Sequence, residues 1–207
     1  VLVQQNKAWK TMQNGNDFGG IESWQHGPVY IFNNLSHDAR GQREAERVLH
    51  GRHAGFGHAY YLDGGFKHYV FNNIAWGLSS DPSSPLVNCA AFQEIIGFQI
   101  VFLNNTVWNY TVGSRRQAPE AGRNQYVGNV WQGISERVFR HAEPAKTRPQ
   151  GNEADAAAAA GGGIAHELNV YAANVFHDVA ELGVVEASGR WLTTLEEFRA
   201  VLGAAHA

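Results

Sequence analysis

One short pattern built on an asparagine recurs six times along this chain. Its clearest copies are "VYIFNNLSH" at 29–37, "HYVFNNIAW" at 68–76 and "IVFLNNTVW" at 100–108. Weaker copies are "VLVQQNKAW" at 1–9, "NQYVGNVWQ" at 124–132 and "NVYAANVFH" at 169–177. Aligned on one position, the recurring residues are Asn6, Asn34, Asn73, Asn105, Asn129 and Asn174, separated by 28, 39, 32, 24 and 45 residues. A fixed strand–turn–strand unit joined by segments of variable length is the sequence form of a stacked-coil repeat, in which each unit buries its apolar face only against its neighbours.

The residues before each asparagine are β-branched or aromatic, as a strand prefers. After it stand Leu35, Ile74, Thr106, Val130 and Val175, with Lys7 the exception in the first copy. Asparagine accepts left-handed backbone geometry at a bend. Its amide also carries two donors and a double acceptor, so identical amides at the strand spacing of about 4.8 Å can bond to the coil on either side. Apolar residues do not recur at i, i+3 and i+4 through the copies, which argues against helices. The expectation is an all-β fold: a right-handed parallel β-helix of about six coils with an internal asparagine ladder. Strands are predicted at 29–32, 69–71, 100–103, 125–127 and 169–172. Right-handedness follows from the usual crossover between parallel strands.

The stretches "DFGGIESWQHGPVYIFNN", "GHAYYLDGGFKHYVFNN" and "AFQEIIGFQIVFLNN" resemble bacterial secreted proteins built of right-handed β-helix repeats, in the pectate-lyase-like superfamily. The resemblance covers about residues 1–180 and rests on repeat character, not on a catalytic motif. It implies a carbohydrate-active enzyme, a glycoside hydrolase or polysaccharide lyase acting on an extracellular polysaccharide. It also implies a secreted, periplasmic or cell-surface location. A non-catalytic carbohydrate-binding or structural β-helix module is the alternative.

The 207 residues set the expectation of a single domain and a monomer. The chain starts inside a repeat without a capping element, which predicts further coils upstream. A net charge of −3 gives no basic footprint for nucleic acid. No stretch has the length of a membrane-spanning apolar segment. The single cysteine, Cys89 in "LVNCAAF", forms no internal disulfide and reads as wall packing. Residues 111–122 read as a polar insertion and 134–163 as a loop excursion ending in an Ala/Gly run. Residues 194–203 read as a short C-terminal helix with Thr193 or Thr194 at its N-cap and Glu196 or Glu197 completing a capping box. Leu195, Phe198, Val201 and Leu202 form its apolar face, and Gly203 is placed to end it.

Stacked coils align side chains into columns. Counting back from each ladder asparagine, the slot twelve residues earlier holds Glu22, Tyr61, Gln93 and Gln117, with Gly162 in the last copy. This column is polar or aromatic, as a sugar-binding wall requires. Asp17, Trp24, His58 and Asp63 fall close to it in the neighbouring slots. Glu22 beside Trp24, with Asp63 as its partner, is the candidate acid/base pair for hydrolysis, which needs two carboxylates. Lys67 as base, with Arg116 clamping a substrate carboxylate and Arg115 beside it, is the candidate lyase set. No Asp/Asn-rich calcium loop is present, so the expectation is no cofactor, with Ca²⁺ reserved for the lyase case. His37–Asp38 and His177–Asp178 share a slot with Trp9, Trp76 and Trp108, which reads as corner packing.

Overall fold

The structure, a computed structural model, describes residues 1–12, 17–39, 41, 48–49, 52–53, 57–77, 89–116, 122–141, 169–185 and 191–202. Gln117, Gly162, the Ala/Gly run and Gly203 lie outside the described residues.

Each copy of the pattern forms two short strands joined at the asparagine. The first is β1 (Leu2–Gln4) and β2 (Lys7–Trp9). After β3 (Phe18–Trp24) comes the pair β4 (Tyr30–Phe32) and β5 (Leu35–His37). The small hairpin β6 (Val48–Leu49) and β7 (Arg52–His53) precedes β8 (Gly57–Asp63), β9 (Tyr69–Phe71) and β10 (Ile74–Trp76). Next are β11 (Ala90–Ile95), β12 (Val101–Leu103) and β13 (Thr106–Arg116). Then follow β14 (Gln125–Val127), β15 (Val130–Arg140), β16 (Val170–Ala172) and β17 (Val175–Glu181). The antiparallel pair β18 (Val184–Val185) and β19 (Trp191–Leu192) leads into helix α1 (Leu195–Leu202).

The protein is all-β and its two large sheets are parallel. The strands entering each turn pair in the order β1-β4-β9-β12-β14-β16. The strands leaving it pair β2-β5-β10-β13, and β13 continues to β15 and β17. The wall strands β3, β8 and β11 join the same sheet because β13 runs on from the corner, pairing β10 over Thr106–Trp108 and β11 beyond Val112. Residues 111–116, expected in an insertion, and 134–140, expected in a loop, are therefore the second halves of β13 and β15. Both β13 and β15 continue directly from the corner into the wall, although their units have the shortest and the longest spacing, 24 and 45 residues.

All six ladder asparagines stack. The Nδ2 of Asn6, Asn34, Asn73 and Asn105 donates to the Oδ1 of the next at 3.0 Å, and that of Asn129 to Asn174 at 3.1 Å. Each of these Oδ1 atoms also accepts the backbone N–H of the preceding asparagine. The second Nδ2 hydrogen of Asn34, Asn73, Asn105, Asn129 and Asn174 goes to a carbonyl of the previous unit. The left-handed residue is not the ladder asparagine, as expected, but the one before it: Gln5, Asn33, Asn72, Asn104, Gly128 and Ala173, all at φ between 52° and 64°. The first residue makes the bend, which frees the second to point its amide into the stack.

Between the sheets lies one apolar core. Ile31, Val70, Phe102, Tyr126 and Tyr171 align in register and are fully buried. Ile21, Tyr60, Phe92 and Phe139 face them from the wall strands, and Phe92 meets Phe102 edge-on at 5.3 Å. Burial of each such ring is worth about 1.5–3 kcal/mol. One inward slot takes residues of very different size: Ala75 holds the place that Trp131 fills two units on. Phe198 of α1 packs on Phe139 and Tyr171, so the helix lies against the core at this end. Thr194 Oγ1 accepts the Glu197 N–H at 3.1 Å while the Glu197 carboxylate accepts the Thr194 N–H, the expected capping box. Leu195 is exposed rather than packed. Among the described residues, no helix is long and apolar enough to cross a membrane.

Candidate functional site

The wall column is real in its first three members and differs in its fourth. Glu22 pairs with Tyr61 and Tyr61 with Gln93, as counted from the sequence, but Gln93 pairs with Arg115 and Arg115 with Arg140. Side chains alternate along a strand. Since Tyr60 and Phe92 face the core, this column faces outward. It runs from acid to base. Three strand steps, about 14 Å, separate Glu22 from Arg115.

At the acidic end the register sets Trp24 beside Asp63, one side-chain pair along from Glu22 and Tyr61. Asp17 enters through the Tyr61 hydroxyl, which donates to its Oδ1 at 3.0 Å. The Glu22 carboxylate accepts the Gly19 N–H at 3.2 Å. Gly19 is required here, because a Cβ would lie 2.8 Å from the Cβ of Tyr61. Partial burial pushes the Glu22 carboxyl above its ordinary value; the Gly19 bond opposes this, and the charges of Asp63 and Asp17 add to it. Burial and the Asp17 charge also raise Asp63. Tyr61 is pushed up, first by burial and then by Asp17, so it stays a donor. Trp24 is 67% exposed and gives the cluster a flat apolar face.

Away from this end the wall closes. Gln93 is fully buried and Arg115 is 7% exposed, its Nη1 donating to Gln93 Oε1 at 3.3 Å. His58 is fully buried, with its ring edge-on to Tyr61 at 5.5 Å and its Nδ1 accepting the Ala90 N–H. Burial, helped by Arg115, holds His58 well below the ordinary histidine range, so it is neutral.

Three candidates fall elsewhere than expected. Arg115 and Arg116 do not overhang the wall from a loop; they are consecutive residues of β13 and therefore face opposite ways. Arg116 is buried, and its Nε and Nη2 donate to the His141 carbonyl. Lys67 is exposed at the bend before β9, where it lines a groove with Gln99 and Arg123, and so is not beside Glu22.

Sequence reasoning missed Glu94. It pairs with Arg116 across β11 and β13, on the core side. Its carboxylate accepts Asn124 Nδ2 and the Tyr126 hydroxyl. Burial pushes its pKa up to about 7, against the opposing pull of Arg116 and of its hydrogen-bond donors. His141 completes the group, bridging the Tyr171 hydroxyl at 2.7 Å and Ser114 Oγ at 3.0 Å. The available signal was parity: Glu94 and Arg116 each stand one place from an outward residue, hence in an inward column.

Among the described residues, no group of three or more His, Cys, Asp or Glu side chains is placed to hold a metal ion. Comparison of the chain with protein-family models, curated proteins and solved structures gave no match.

Proposed function

We propose that this chain is a right-handed parallel β-helix of the pectate-lyase-like type and a carbohydrate-active enzyme, a glycoside hydrolase acting on an extracellular polysaccharide. The parallel stacking of six strand–turn–strand units supports the fold reading, because crossovers between parallel strands are overwhelmingly right-handed. A polysaccharide substrate places the protein outside the cytoplasm, by secretion, in the periplasm or at the cell surface.

One observation carries the hydrolase reading. Glu22 and Asp63 share the outward face of the wall with Asp17 nearby, in mutual electrostatic range and next to the exposed ring of Trp24. Their diagonal placement on adjacent strands sets them about 8 Å apart at the backbone, and inversion needs two carboxyl groups with room for a water between them. Glu22, whose carboxyl burial pushes above its ordinary value, acts as the acid and gives its proton to the leaving glycosidic oxygen. Water attacks the anomeric carbon from the opposite side and passes its proton to Asp63. The glycosidic bond breaks as the new C–O bond forms, and the anomeric configuration inverts. The lyase set has less support, since Lys67 and Arg116 lie on different faces of the fold.

The test is a panel of neutral and acidic polysaccharides, with reducing ends and ultraviolet-absorbing unsaturated products both measured. New reducing ends without unsaturation are expected. Glu22→Gln keeps the shape and removes the proton, and should lower kcat by about 10²–10⁴ with little change in binding. Unsaturated products, or full activity in Glu22→Gln, overturn the assignment. Binding without any turnover favours the non-catalytic module.

A further inference from the structure

On the sheet of entering strands, away from the carboxylates, an open groove of about 530 Å³ runs across β9, β12, β14 and β16. Tyr69 and Gln125 stand on its floor, and Lys67, Gln99 and Arg123 form one edge. The three edge residues occupy the same bend in successive units. Each has φ between 53° and 56°, and the backbone bonds Lys67 N–H to Phe98 O and Gln99 N–H to Gly122 O stack the bends.

Lys67 and Arg123 are exposed, and among the described residues neither forms an ion pair with a carboxylate. Their heads rest on aromatic rings instead: Lys67 Nζ is 5.1 Å from the Phe66 centroid, and Arg123 Cζ is 5.7 Å from that of Phe98. No acidic residue is among the described groove-lining residues. The Tyr69 ring, 37% exposed and stacked on Tyr30 at 5.0 Å, adds a flat apolar surface.

The edge reads cation, amide, cation, with two strand steps, about 10 Å, between the backbone positions that carry the two cations. We propose that this groove binds an acidic polysaccharide in which charged and neutral sugars alternate. The chain lies across the strands, with a carboxylate at Lys67, a neutral amide-bearing sugar at Gln99 and the next carboxylate in the Arg123 fork. A uniformly charged chain sets a carboxylate against Gln99, which offers no charge to neutralise it. The groove is a binding surface separate from Glu22 and does not depend on the hydrolase reading.

The probes are a hyaluronan hexasaccharide (alternating glucuronate and N-acetylglucosamine), a galacturonate hexamer and neutral chitohexaose, with Kd measured by calorimetry at two salt concentrations. Hyaluronan is expected to bind tightest and to weaken as salt rises. Lys67→Asn and Arg123→Asn remove charge with a residue that tolerates the left-handed bend. Each should weaken hyaluronan binding about five- to tenfold, and the pair should abolish it. Binding of chitohexaose as tight as hyaluronan, equal binding of the galacturonate hexamer, or an unchanged Kd in the double variant each overturn the proposal. Hyaluronan binding lost in the double variant, in a protein that hydrolyses nothing, leaves this site standing and removes only the hydrolase reading.

Discussion

The asparagine ladder and the Glu94–Arg116 network are both buried polar structures within the same stack, and they meet the cost of burial in opposite ways. The ladder is neutral and periodic. Every inner rung makes the same bonds, so each of those amides finds its partners supplied by the unit before and the unit after. The network is charged and occurs once. Asn124 and Tyr126 converge on Glu94, Tyr171 and Ser114 converge on His141, and Arg116 joins the two through the His141 carbonyl. A repeating solution tolerates variation between its rungs, whereas a single charged cluster depends on every member.

That contrast predicts the largest effect for Arg116. Arg116→Met keeps the length of the side chain but removes two hydrogen bonds to the His141 carbonyl and the charge that favours ionised Glu94. Breaking one side of a buried charged pair costs about 3–5 kcal/mol. Urea unfolding at pH 8, where Glu94 is mostly ionised, should show it. A loss below that of a ladder substitution means that the charged cluster is no more sensitive than the neutral ladder.

Glu94 itself supplies a pH signature next in size. Its folded pKa of about 7 lies above the ordinary 4.5, so the folded state holds the proton more tightly than the unfolded chain. The contribution to stability is fullest below pH 4.5. It declines as pH rises through 7, by an amount on the order of 3 kcal/mol. His58 and His68, whose pKa values burial lowers, act in the opposite direction as pH falls below 6.5. The informative quantity is therefore the difference between wild type and Glu94→Gln, which should change sign or slope across pH 4.5–7 and level off on either side. A pH-independent difference means that Glu94 keeps an ordinary carboxylate pKa.

The same contrast explains which parts could be read from the chain alone. Tyr69–Phe71 and Gln125–Val127 were predicted to the residue, and the other named strands within one position at the start, because six copies constrain one another. The pairing of Glu22, Tyr61 and Gln93 was legible for the same reason. Counting failed at Arg115. Arg115 stands 14 residues before Asn129, where Glu22, Tyr61 and Gln93 stand 12 before their own ladder asparagines, so a fixed count lands past it. Polar residues such as "SRR" read as loop, yet Ser114, Arg115 and Arg116 are all buried in a wall strand. Glu94 was illegible because no second copy has a carboxylate in its slot; Ser23 and Leu62 stand there in the earlier units. Lys67 was close to Asp63 in sequence, but the bend at residues 64–68 carries it to another face.

The smallest predicted effects separate the middle of the ladder from its first rung. Asn73 is 1% exposed; its Oδ1 accepts two donors from Asn34, and its Nδ2 donates to Asn105 Oδ1 and Ile31 O. Asn73→Ala removes all four bonds and leaves the Asn34 amide and backbone N–H without acceptors in a dry corner, at a cost of about 1–3 kcal/mol. Asn6 is exposed and donates to Asn34 Oδ1 and Gln4 O, so water can replace what Asn6→Ala removes there. That substitution should cost under about 1 kcal/mol. Both are measured by the urea midpoint at one pH, since neither amide titrates. If the two variants lose the same stability, the rungs are independent turns rather than a continuous ladder, and periodicity no longer explains why a neutral stack survives burial where Glu94 draws on Arg116, Asn124, Tyr126 and Ser114.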